Sequence, residues 1–394
     1  MIIQPDYKQI NVLIDDLINF KISNYNKLRN FVYYGVNRYE NVSALSAFIS
    51  RGVLREKTLL KKVISSANKN EKFIQEIFWR IYWQGWLESH KNIWKDYKQN
   101  IKHIENNKLS SLINYQDAIN GNTSIKPFNE WVKILKEYGY LHNHERMWFA
   151  SIWIHYLQIP WELGQKFFYE NLLDGDVASN LLSWRWVAGL QTLGKKYIAT
   201  EENINKYTNN RYLGFKLPKV RNILLKNEDR ILNSINASKF KEPYKNCAFV
   251  IMDNNLNLDL FKKVKSKINA LILLKFNLKP IEKSKTVIKF QKGIYKEFVQ
   301  KEINEKIKYY EFQLPDENLK FISFLKNNKI KNLLMDYYRI GYEKDCFDDL
   351  ISKIKDNILV HNILDRFYDQ SWEHCQKGFF KFREKIPTLL QNLN

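Results

Sequence analysis

The sequence is poor in cysteine, and this excludes several classes of small or metal-bound protein. Its 394 residues include only 3 cysteines, and Cys247, Cys346 and Cys375 are odd in number and far apart. A disulfide framework needs paired cysteines, and a zinc site needs closely spaced ones such as CxxC. We therefore expect a reducing compartment and no metal centre built on cysteine.

Long hydrophobic runs and an export signal are also missing. The longest apolar stretch, Met147–Trp161, is interrupted by His155 and is shorter than the roughly 20 residues that span a bilayer. Residues 1–16, MIIQPDYKQINVLIDD, carry three aspartates and lack the basic and then apolar design of a signal peptide. These absences favour a soluble cytoplasmic protein with no membrane partner, and we expect a monomer.

Acidic side chains are outnumbered by basic ones. The chain has 63 Lys and Arg against 42 Asp and Glu, which gives a formal charge of +21. Such a field attracts polyanions and raises the rate of encounter with them. A genome rich in A and T, which inflates Lys, Asn and Ile in every protein, is the alternative explanation. Composition therefore suggests nucleic-acid binding without establishing it.

The hydrophobic pattern divides the chain into a helical part and a mixed part. Residues 1–208 repeat aromatic and aliphatic side chains at helical spacing. Residues 209–244 are basic, polar and weakly periodic, which is typical of a connector. Residues 245–394 alternate short apolar runs with amphipathic helical segments, which predicts an α/β domain. The runs predicted as strands are Cys247–Met252, Asn269–Leu274, Lys285–Phe290, Lys306–Phe312 and Lys331–Tyr338.

The segment FIQEIFWRIYWQGWLESH (Phe73–His90) reads as one helix with a mixed face. Glu76, Arg80 and Trp83 fall along one side, with Trp79 at its edge. The simplest interpretation of Glu76 and Arg80 is an i,i+4 salt bridge worth a few tenths of a kcal/mol. A functional interpretation needs further residues from elsewhere in the chain.

A second helix is predicted to resume after a break at Gly139 and carries the motif HNHERM. Asn143, Arg146 and Met147 stand at i, i+3 and i+4, so they share one face. His142 and His144 lie two residues apart and point in different directions. We therefore expect capping or surface roles for both histidines rather than a metal site.

The motif DGDVASN marks the start of a third helix after Gly175. Asp174, Asp176 and Asn180 suit this position, because acidic groups there cap the helix and complement its dipole. A hard-cation site is the rival interpretation, since clustered carboxylates bind such ions. The DxDxDG-type loop with a distant Glu is absent, which weakens the rival.

Two tryptophans follow in SWRW, where Trp184 and Trp186 flank Arg185. Indoles two residues apart on a helix cannot face the same way. One can face a buried cofactor while the other lines an adjacent opening. Upstream, Ser43 and Ser46 in VSALSAFISRG precede a predicted helix, where they can cap it or present backbone N–H groups to a phosphate.

Together these segments resemble the photolyase/cryptochrome flavoprotein family. SALS, EIFWR, GYLHNHERM, LLDGDVASN and SWRW occur in the family's order and at fitting intervals, and they cover roughly residues 30–208. The resemblance implies a non-covalent, U-shaped FAD in a helical bundle. It assigns cofactor binding to Tyr34, Ser43, Leu45, Ser46, Phe73, Glu76, Arg80, Asn143, Arg146, Asp174, Asp176 and Asn180.

The resemblance also implies individual roles at the flavin. Ser43 and Ser46 would contact the FAD phosphates, helped by Tyr34 or Arg38. Arg146 would pair with Asp174 across the flavin ring, and Asp176 would accept a hydrogen bond from the isoalloxazine or ribityl group. Asn180 would sit beside flavin N5, where an amide can donate a hydrogen bond. The role of Arg146 would be to stabilise the anionic reduced flavin that the family's repair chemistry needs.

A lesion pocket is implied in the same way. Stacking walls would come from Trp79 and Trp186, hydrogen-bonding readers from Glu76 and Asn143, and an apolar contact from Met147. The resemblance assigns Trp184 and Trp161 to the inner part of a tryptophan electron-transfer chain and leaves Trp94 and Trp153 as candidates for its outer member. Position and charge alone suggest DNA phosphate contacts for Arg185, Lys195 and Lys196.

The kind of lesion is suggested by two positions. Relatives that act on (6-4) photoproducts carry histidines where this chain has Asn143 and Met147. With no histidine for proton transfer there, the resemblance favours a photolyase for cyclobutane pyrimidine dimers, with UV-damaged DNA as its partner. A cryptochrome-like light sensor, a (6-4) photolyase and a nucleic-acid-binding module with a vestigial flavin are the alternatives.

The order of the parts departs from the family. Familiar photolyases place an α/β antenna domain before the helical one, whereas here the α/β pattern follows. We predict a mainly α, photolyase-type FAD-binding helical domain at 1–208, a connector at 209–244 and a smaller, Rossmann-like α/β domain at 245–394, interpreted as a transposed antenna-like domain. No Gly-rich phosphate fingerprint follows Met252, which argues against an antenna chromophore. Three dispersed cysteines exclude the four-cysteine iron–sulfur design of some relatives.

Overall fold

The first half of the chain is built of α-helices. The computed structural model describes residues 3–67, 69–109, 112–192, 194–220, 229–241, 244–303, 308–354 and 357–393. Its first twelve α-helices are α1 (Tyr7–Asp16), α2 (Tyr25–Leu28), α3 (Ser46–Ser50), α4 (Glu56–Ser65), α5 (Glu71–Ser89), α6 (Lys91–Asn106), α7 (Ile113–Asn120), α8 (Lys126–Tyr138), α9 (Asn143–Ser151), α10 (Trp161–Asn171), α11 (Val177–Ala188) and α12 (Glu201–Tyr207). Two π-helical turns, Leu17–Lys21 and Ile152–Tyr156, continue α1 and α9.

The second half carries a parallel sheet with intervening helices. Its strands are β1 (Cys247–Met252), β2 (Ala270–Phe276), β3 (Tyr309–Leu314), β4 (Asn332–Asp336) and β5 (Leu359–Ile363). Its helices are α13 (Asp259–Val264), α14 (Lys285–Glu302), α15 (Asn318–Asn327), α16 (Tyr342–Ser352), α17 (Arg366–Trp372), α18 (Phe379–Arg383) and α19 (Ile386–Gln391). The strand order is β3-β2-β1-β4-β5, and every pair is parallel.

The central strand β1 shows why the sheet is parallel and covered on both sides. All six of its residues, CAFVIM, are buried, which is the pattern of a strand with helices on both faces. Side chains alternate between the faces, so Val250 belongs to one core cluster while Phe249 and Ile251 belong to the other. The cluster that contains Phe249 and Ile251 also contains the core of the helical half. One face of the sheet is therefore continuous with the helical core.

Most of the predicted strands were placed correctly. β1, β2 and β4 confirm the predictions at Cys247, Asn269 and Lys331, each within a few residues. β3 confirms the fourth, apart from residues 306 and 307, which lie outside the described residues.

The predicted strand Lys285–Phe290 is wrong, because these residues begin the helix α14. Ser284 accepts a hydrogen bond from the backbone N–H of Val287 and caps the helix. The buried residues are spaced at helical intervals. They are Val287, Phe290, Ile294 and Phe298. The β-branched residues of TVIKF had favoured a strand. Strand β5 was missed, because at the sheet edge it is only partly buried.

After the sheet, α17 and α18 pack on α5, and α19 packs on α17. The Phe78 ring lies 6.3 Å from the Phe367 ring and 6.0 Å from the Phe382 ring. Trp372 covers Gly85, where an added Cβ would meet the indole at 2.5 Å. Part of the predicted domain 245–394 thus packs on the helical half, and the predicted boundaries stay a prediction. The predicted connector includes residues 221–228 and 242–243, which lie outside the described residues.

Candidate functional site

A cavity of about 740 Å³ lies between α5, α9 and α11. Twelve of the residues singled out from the sequence line it together. They are Glu76, Trp79, Arg80, Asn143, Arg146, Met147, Asp174, Asp176, Asn180, Trp184, Trp186 and Lys195. The long-range grouping that the resemblance implied is therefore present in the fold.

Helix α5 contributes the charged residue Arg80 and the aromatic residue Trp79 to the cavity wall. It begins at Asn70, whose side chain accepts a hydrogen bond from the backbone N–H of Phe73. Phe78 and Ile81 are fully buried on the core side, which turns Trp79 and Arg80 towards the cavity. The helix period thus separates packing residues from functional ones.

Arg80 is held by carboxylates from two other segments. Its Nε lies 3.0 Å from Glu56 Oε1, and its Nη2 lies 3.2 Å from Asp176 Oδ2. The i,i+4 salt bridge expected between Glu76 and Arg80 is wrong. Instead, Glu76 pairs with Arg29 at 3.1 Å. A buried carboxylate is destabilising unless a cation pairs with it. Glu56 and Asp176 are more buried than Glu76, so Arg80 pairs with them.

Arg146 and Asp174 form the second charged pair of the cavity. Arg146 donates from Nη2 to Asp174 Oδ2 at 3.0 Å and from Nε to the Leu141 carbonyl at 2.9 Å. Within the described part of the chain, the buried Oδ1 of Asp174 accepts no hydrogen bond of normal geometry. An acceptor of this kind at a cavity wall suits a ligand that donates.

Both aspartates of the motif stay ionised. Burial would raise the pKa of Asp174 and of Asp176, but Arg146 beside the first and Arg80 beside the second hold both pKa values below the usual range. Asp176 also caps α11 by accepting from the backbone N–H of Ser179 at 2.8 Å. The predicted capping role of the motif is confirmed, and two negative charges face the cavity.

Helix α9 presents its mixed face to the cavity, and the hydrogen-bonding groups at its start are paired with one another. His142 and Glu145 form a reciprocal capping box at its start, which confirms the capping role expected for His142. Burial lowers the pKa of His142 to about 3, so the ring is neutral. Asn143 and Met147 lie one turn apart, with Nδ2 3.6 Å from Sδ, and both reach the cavity.

Helix α11 separates its two indoles as expected. Trp184 is buried against Gly164, where an added Cβ would meet the ring at 2.2 Å. Trp186 points the other way and stacks on Tyr197, with centroids 5.6 Å apart. Asn180 donates from Nδ2 to the Gln165 carbonyl at 2.9 Å. That bond uses one of the two amide hydrogens.

Trp79 has a partner that sequence reasoning missed. Phe379 stacks on it, with centroids 3.5 Å apart and an interplanar angle of 11°. One face of the indole is therefore covered, and a ligand has at most the other. The segment Gln376–Phe380 and Arg230 complete the cavity on this side. The sequence signal was the aromatic pair after Gly378, but nothing in the sequence links it to a helix some 300 residues earlier.

Several predicted cofactor residues lie outside the cavity wall. Tyr34 hydrogen-bonds with the Tyr212 hydroxyl at 3.2 Å, and Phe73 packs edge-on against Tyr25. Leu45, the N-cap of the five-residue helix α3, is fully buried. Two serines and a third residue complete this group, namely Ser43, Ser46 and Arg38, none of which is in the described wall. Of these, Ser46 lies close enough to Asp174 to contribute to its lowered pKa.

Arg185 does not lie where a DNA contact would need it. Its side chain is 1% exposed, and its guanidinium lies 5.9 Å from the centre of the Trp161 ring. The prediction of a phosphate contact from charge alone is therefore wrong for Arg185, because the helix turns it inward. Lys195 lines the cavity and Lys196 is exposed.

Aromatic contacts lead from Trp184 in one direction and from Trp161 in another. Trp153 lies edge-on to Trp184, with centroids 6.0 Å apart. Trp161 neighbours Tyr97 at 5.8 Å, and Tyr97 stacks on Trp94 at 5.3 Å. The two candidates for an outer tryptophan thus belong to different branches.

The donor set fits a planar ligand with a polar edge. Trp184 Nε1 is buried at the cavity and, among the described residues, has no acceptor. Gln191 Oε1 is buried there without a donor in the same part of the chain. Together with the ion pairs of Arg80 and Arg146, these groups favour a large cofactor with hydrogen-bonding groups along one edge.

Comparisons with known proteins point to one family. Residues 73–212 match the family model described as the FAD binding domain of DNA photolyase. The deoxyribodipyrimidine photo-lyase of Buchnera aphidicola subsp. Baizongia pistaciae is 32% identical over 190 residues, 44% of this chain and 39% of that protein. That of Vibrio cholerae serotype O1 is 23% identical over 203 residues, 49% of this chain and 41% of that protein. The chain thus spans about two fifths of the length of these relatives.

Solved structures give a weaker likeness. A bacterial class III photolyase from Agrobacterium tumefaciens is 22% identical, covers 52% of this chain and 43% of its own, and has a TM-score of 0.39. The cryptochrome of Synechocystis sp. PCC6803 is 17% identical, covers 51% and 43%, and has a TM-score of 0.40.

Proposed function

We propose that this protein is a light-driven, FAD-dependent photolyase for cyclobutane pyrimidine dimers in DNA. Residues 73–212 match the family model described as the FAD binding domain of DNA photolyase, and this match supports the proposal. The observation that carries the proposal is the single cavity that unites the charged pairs with the aromatic and amide groups. The curated relatives named deoxyribodipyrimidine photo-lyase support it. Family signals and cavity chemistry thus point the same way.

The charged residues would hold and tune the cofactor. Reduced FAD, when bound and excited by light, supplies the electron that opens the dimer and recovers it afterwards. Arg146, fixed by Asp174 and the Leu141 carbonyl, places a cation at the cavity that favours a negative ring. The side chain of Asn180 has one amide hydrogen beyond its bond to Gln165, which suits a ring nitrogen as acceptor.

The remaining cavity residues would receive the lesion. Extruding a nucleotide costs a few kcal/mol, least where the base is already poorly stacked. Trp186 and the open face of Trp79 offer apolar walls that offset this cost, and Asn143 offers an amide to a base edge. Met147 fills the space beside Asn143. Glu76 is less available to hydrogen-bond a base edge than expected, because Arg29 and Lys72 already pair with it.

The cavity supports the dimer as substrate over the (6-4) lesion. Proton transfer to the latter would need an ionisable ring, and the positions concerned carry Asn143 and Met147. The neighbouring His142 is committed to its cap, and burial lowers the pKa of His144 to about 4. His90, which lines the cavity, is hydrogen-bonded through Nδ1 to the Trp86 carbonyl at 2.8 Å and lies at the C-terminal end of α5, away from the positions concerned. Electron transfer alone, which the dimer requires, asks for no such group.

The sheet supports a Rossmann-like, transposed domain without a chromophore. The order β3-β2-β1-β4-β5 is that of a doubly wound sheet, which binds ligands beyond the carboxyl ends of its strands at the switch between β1 and β4. Here Arg55 from the helical half ion-pairs with Asp336 at 3.2 Å. The spaces left there are about 20 and 50 Å³, far below the roughly 300 Å³ of a typical cofactor site. At the switch between β1 and β4, the helical half thus leaves too little space for an antenna ligand. A larger depression of about 380 Å³ lies beyond the carboxyl ends of β2 and β3.

A cryptochrome-like sensor is the second candidate. Phe379 covers one face of Trp79, and Glu76 is ion-paired, so the dimer pocket is narrower than the resemblance implied. A sensor has no need of such a pocket, and the buried aromatic contacts around Trp184 would serve photoreduction in either case.

One experiment separates these functions. The purified protein is reduced, illuminated with blue light and given oligonucleotides that carry one cyclobutane dimer or one (6-4) photoproduct. We expect repair of the first only, and the denatured protein should release FAD with no second chromophore. Flavin bound without repair of either lesion would leave the sensor as the better function, and a protein without flavin would end both.

A further inference from the structure

The outer wall of the cavity comes from a segment outside the family match. Gln376–Phe380 lies after the sheet, far beyond residue 212, yet it borders the same space as Trp79 and Trp186. Residues 376–385, QKGFFKFREK, carry four basic residues and one acidic residue. The family assignment gives no role to this segment.

The segment is anchored firmly on α5. Tyr82 donates from its hydroxyl to the Lys377 carbonyl at 2.8 Å. Phe379 is buried between Trp79 and Tyr82, and Phe382 is fully buried against Phe78. The backbone on both sides of residue 380 is therefore fixed, and the direction of that side chain with it.

Phe380 projects from this anchored turn into solvent. It is 70% exposed and still borders the cavity. Leaving a phenylalanine in water forgoes the free energy that its burial would contribute. An aromatic ring on an anchored backbone at a cavity mouth suits a partner that offers an apolar slot.

The charges around Phe380 identify the chemistry of that partner. Lys377, Lys381 and Arg383 are all exposed, and the Arg383 guanidinium lies 5.3 Å from the Phe380 ring centre. Lys381 is balanced in part by Glu384, 3.4 Å away. An aromatic ring among cations fits a base stack flanked by phosphates, because rings insert between bases and cations contact the backbone.

We propose that residues 376–385, which include α18, form a DNA-contacting element in which Phe380 fills the gap left in the duplex by the extruded dimer, while Lys377, Lys381 and Arg383 hold the flanking phosphates. The inference rests on the proposed function. A filled gap keeps the neighbouring bases stacked and lowers the cost of extrusion. Single-stranded DNA has no such gap, so Phe380 matters for duplex alone.

Binding of a dimer-containing oligonucleotide, as duplex and as single strand, tests the role of Phe380. The variant Phe380→Ala should bind the duplex about tenfold more weakly, within the range for one aromatic–base stack, and the single strand as the wild type does. Phe20→Ala is the matched control, since Phe20 is 73% exposed and lines a different depression. Equal behaviour of the two variants, or an equal loss on both DNA forms, overturns the inference.

Salt dependence tests the phosphate contacts. Lys381→Gln should make the slope of log affinity against log salt shallower by about 0.9, the value for one lost phosphate contact on duplex DNA. Lys320→Gln is the control, because Lys320 is equally exposed, is likewise paired with a glutamate three residues away and lies on α15. Identical slopes for the two variants contradict the contact.

The outcomes also separate this inference from the proposed function. If the wild type repairs the dimer while Phe380→Ala matches Phe20→Ala, only the inference falls. If the wild type neither binds nor repairs the dimer in either DNA form, the proposed function fails and the inference falls with it.

Discussion

At the scale of single residues, the cavity is organised by opposite charges that cannot be exchanged singly. Asp174 is nearly buried, and its partner Arg146 is a quarter exposed. Removing one member of such a pair leaves the other without compensation, and for fully buried pairs this costs about 3–5 kcal/mol. The partial exposure of Arg146 reduces that figure.

We expect Asp174→Asn to lower the free energy of unfolding by about 2 kcal/mol and to reduce the ratio of bound flavin to protein. Urea unfolding and flavin absorbance measure the two effects. Asp348→Asn is the control, since Asp348 forms an exposed i,i+4 pair with Lys344, a kind worth about 0.5 kcal/mol or less. An unchanged flavin ratio in Asp174→Asn would remove Asp174 from the cofactor site.

Residues whose surroundings are local could be placed from the sequence. The helix period placed Asn143 and Met147 on one face, and the cap signal placed Asp176 at the start of α11. Placement from the sequence failed where burial decides the partner. Arg80 turned to Glu56 and Asp176 instead of Glu76, and Arg185 turned inward, because a linear pattern does not show which side of a helix a distant segment covers.

At the scale of elements, Glu145 at the start of α9 makes the free energy of unfolding depend on pH. Glu145 accepts from the His142 backbone N–H at 2.9 Å through Oε2, while its Oε1 is buried without a donor in the described part of the chain. Burial raises the pKa of Glu145 from 4.5 to about 7. A raised pKa contributes stability below the unfolded pKa, and that stability is lost as pH rises through the folded value.

The variant Glu145→Gln should therefore be more stable than the wild type above pH 7, by up to about 3 kcal/mol at roughly 1.4 kcal/mol per unit of pKa. Between pH 4.5 and 7 the difference should grow steadily, because glutamine keeps the cap bond without ionising. Urea unfolding at several pH values measures it, with the exposed Glu40→Gln as control. A difference that does not vary with pH would show that Glu145 is uncharged throughout, or already ionised at low pH.

At the scale of the whole molecule, the two halves are joined more closely than the predicted division implied. The sequence indicated helices followed by an α/β pattern, and the five described strands lie after α12 in the chain. It did not indicate that α17 and α18 would pack on α5, since an apolar face in the sequence does not show which other segment it will contact. The ion pair of Arg55, in the helical half, with Asp336 at the carboxyl end of β4 could not be foreseen for the same reason.

Gly85 on α5 lies in close contact with α17 and the turn that follows it. An added Cβ would lie 2.5 Å from Trp372 Cδ1 and 2.8 Å from Cys375 Sγ. Both side chains are buried, with Trp372 2% exposed, so neither has room to yield. Overpacking of this kind costs about 1–3 kcal/mol. We expect Gly85→Ala to destabilise the protein and to loosen the turn that holds Phe379 on Trp79.

Hydrogen exchange of residues 366–391 measures that loosening directly. These amides should exchange faster in Gly85→Ala, whereas those of β1 should keep their protection, because one face of β1 packs in a core cluster that includes no residue of α17–α19. Gly378→Ala is the matched control for stability, since nothing lies within 4 Å of its added Cβ and its backbone is compatible with alanine. Equal exchange in the two variants would mean that the contact at Gly85 does not hold the C-terminal helices in place, and that the cavity wall they form is secured elsewhere.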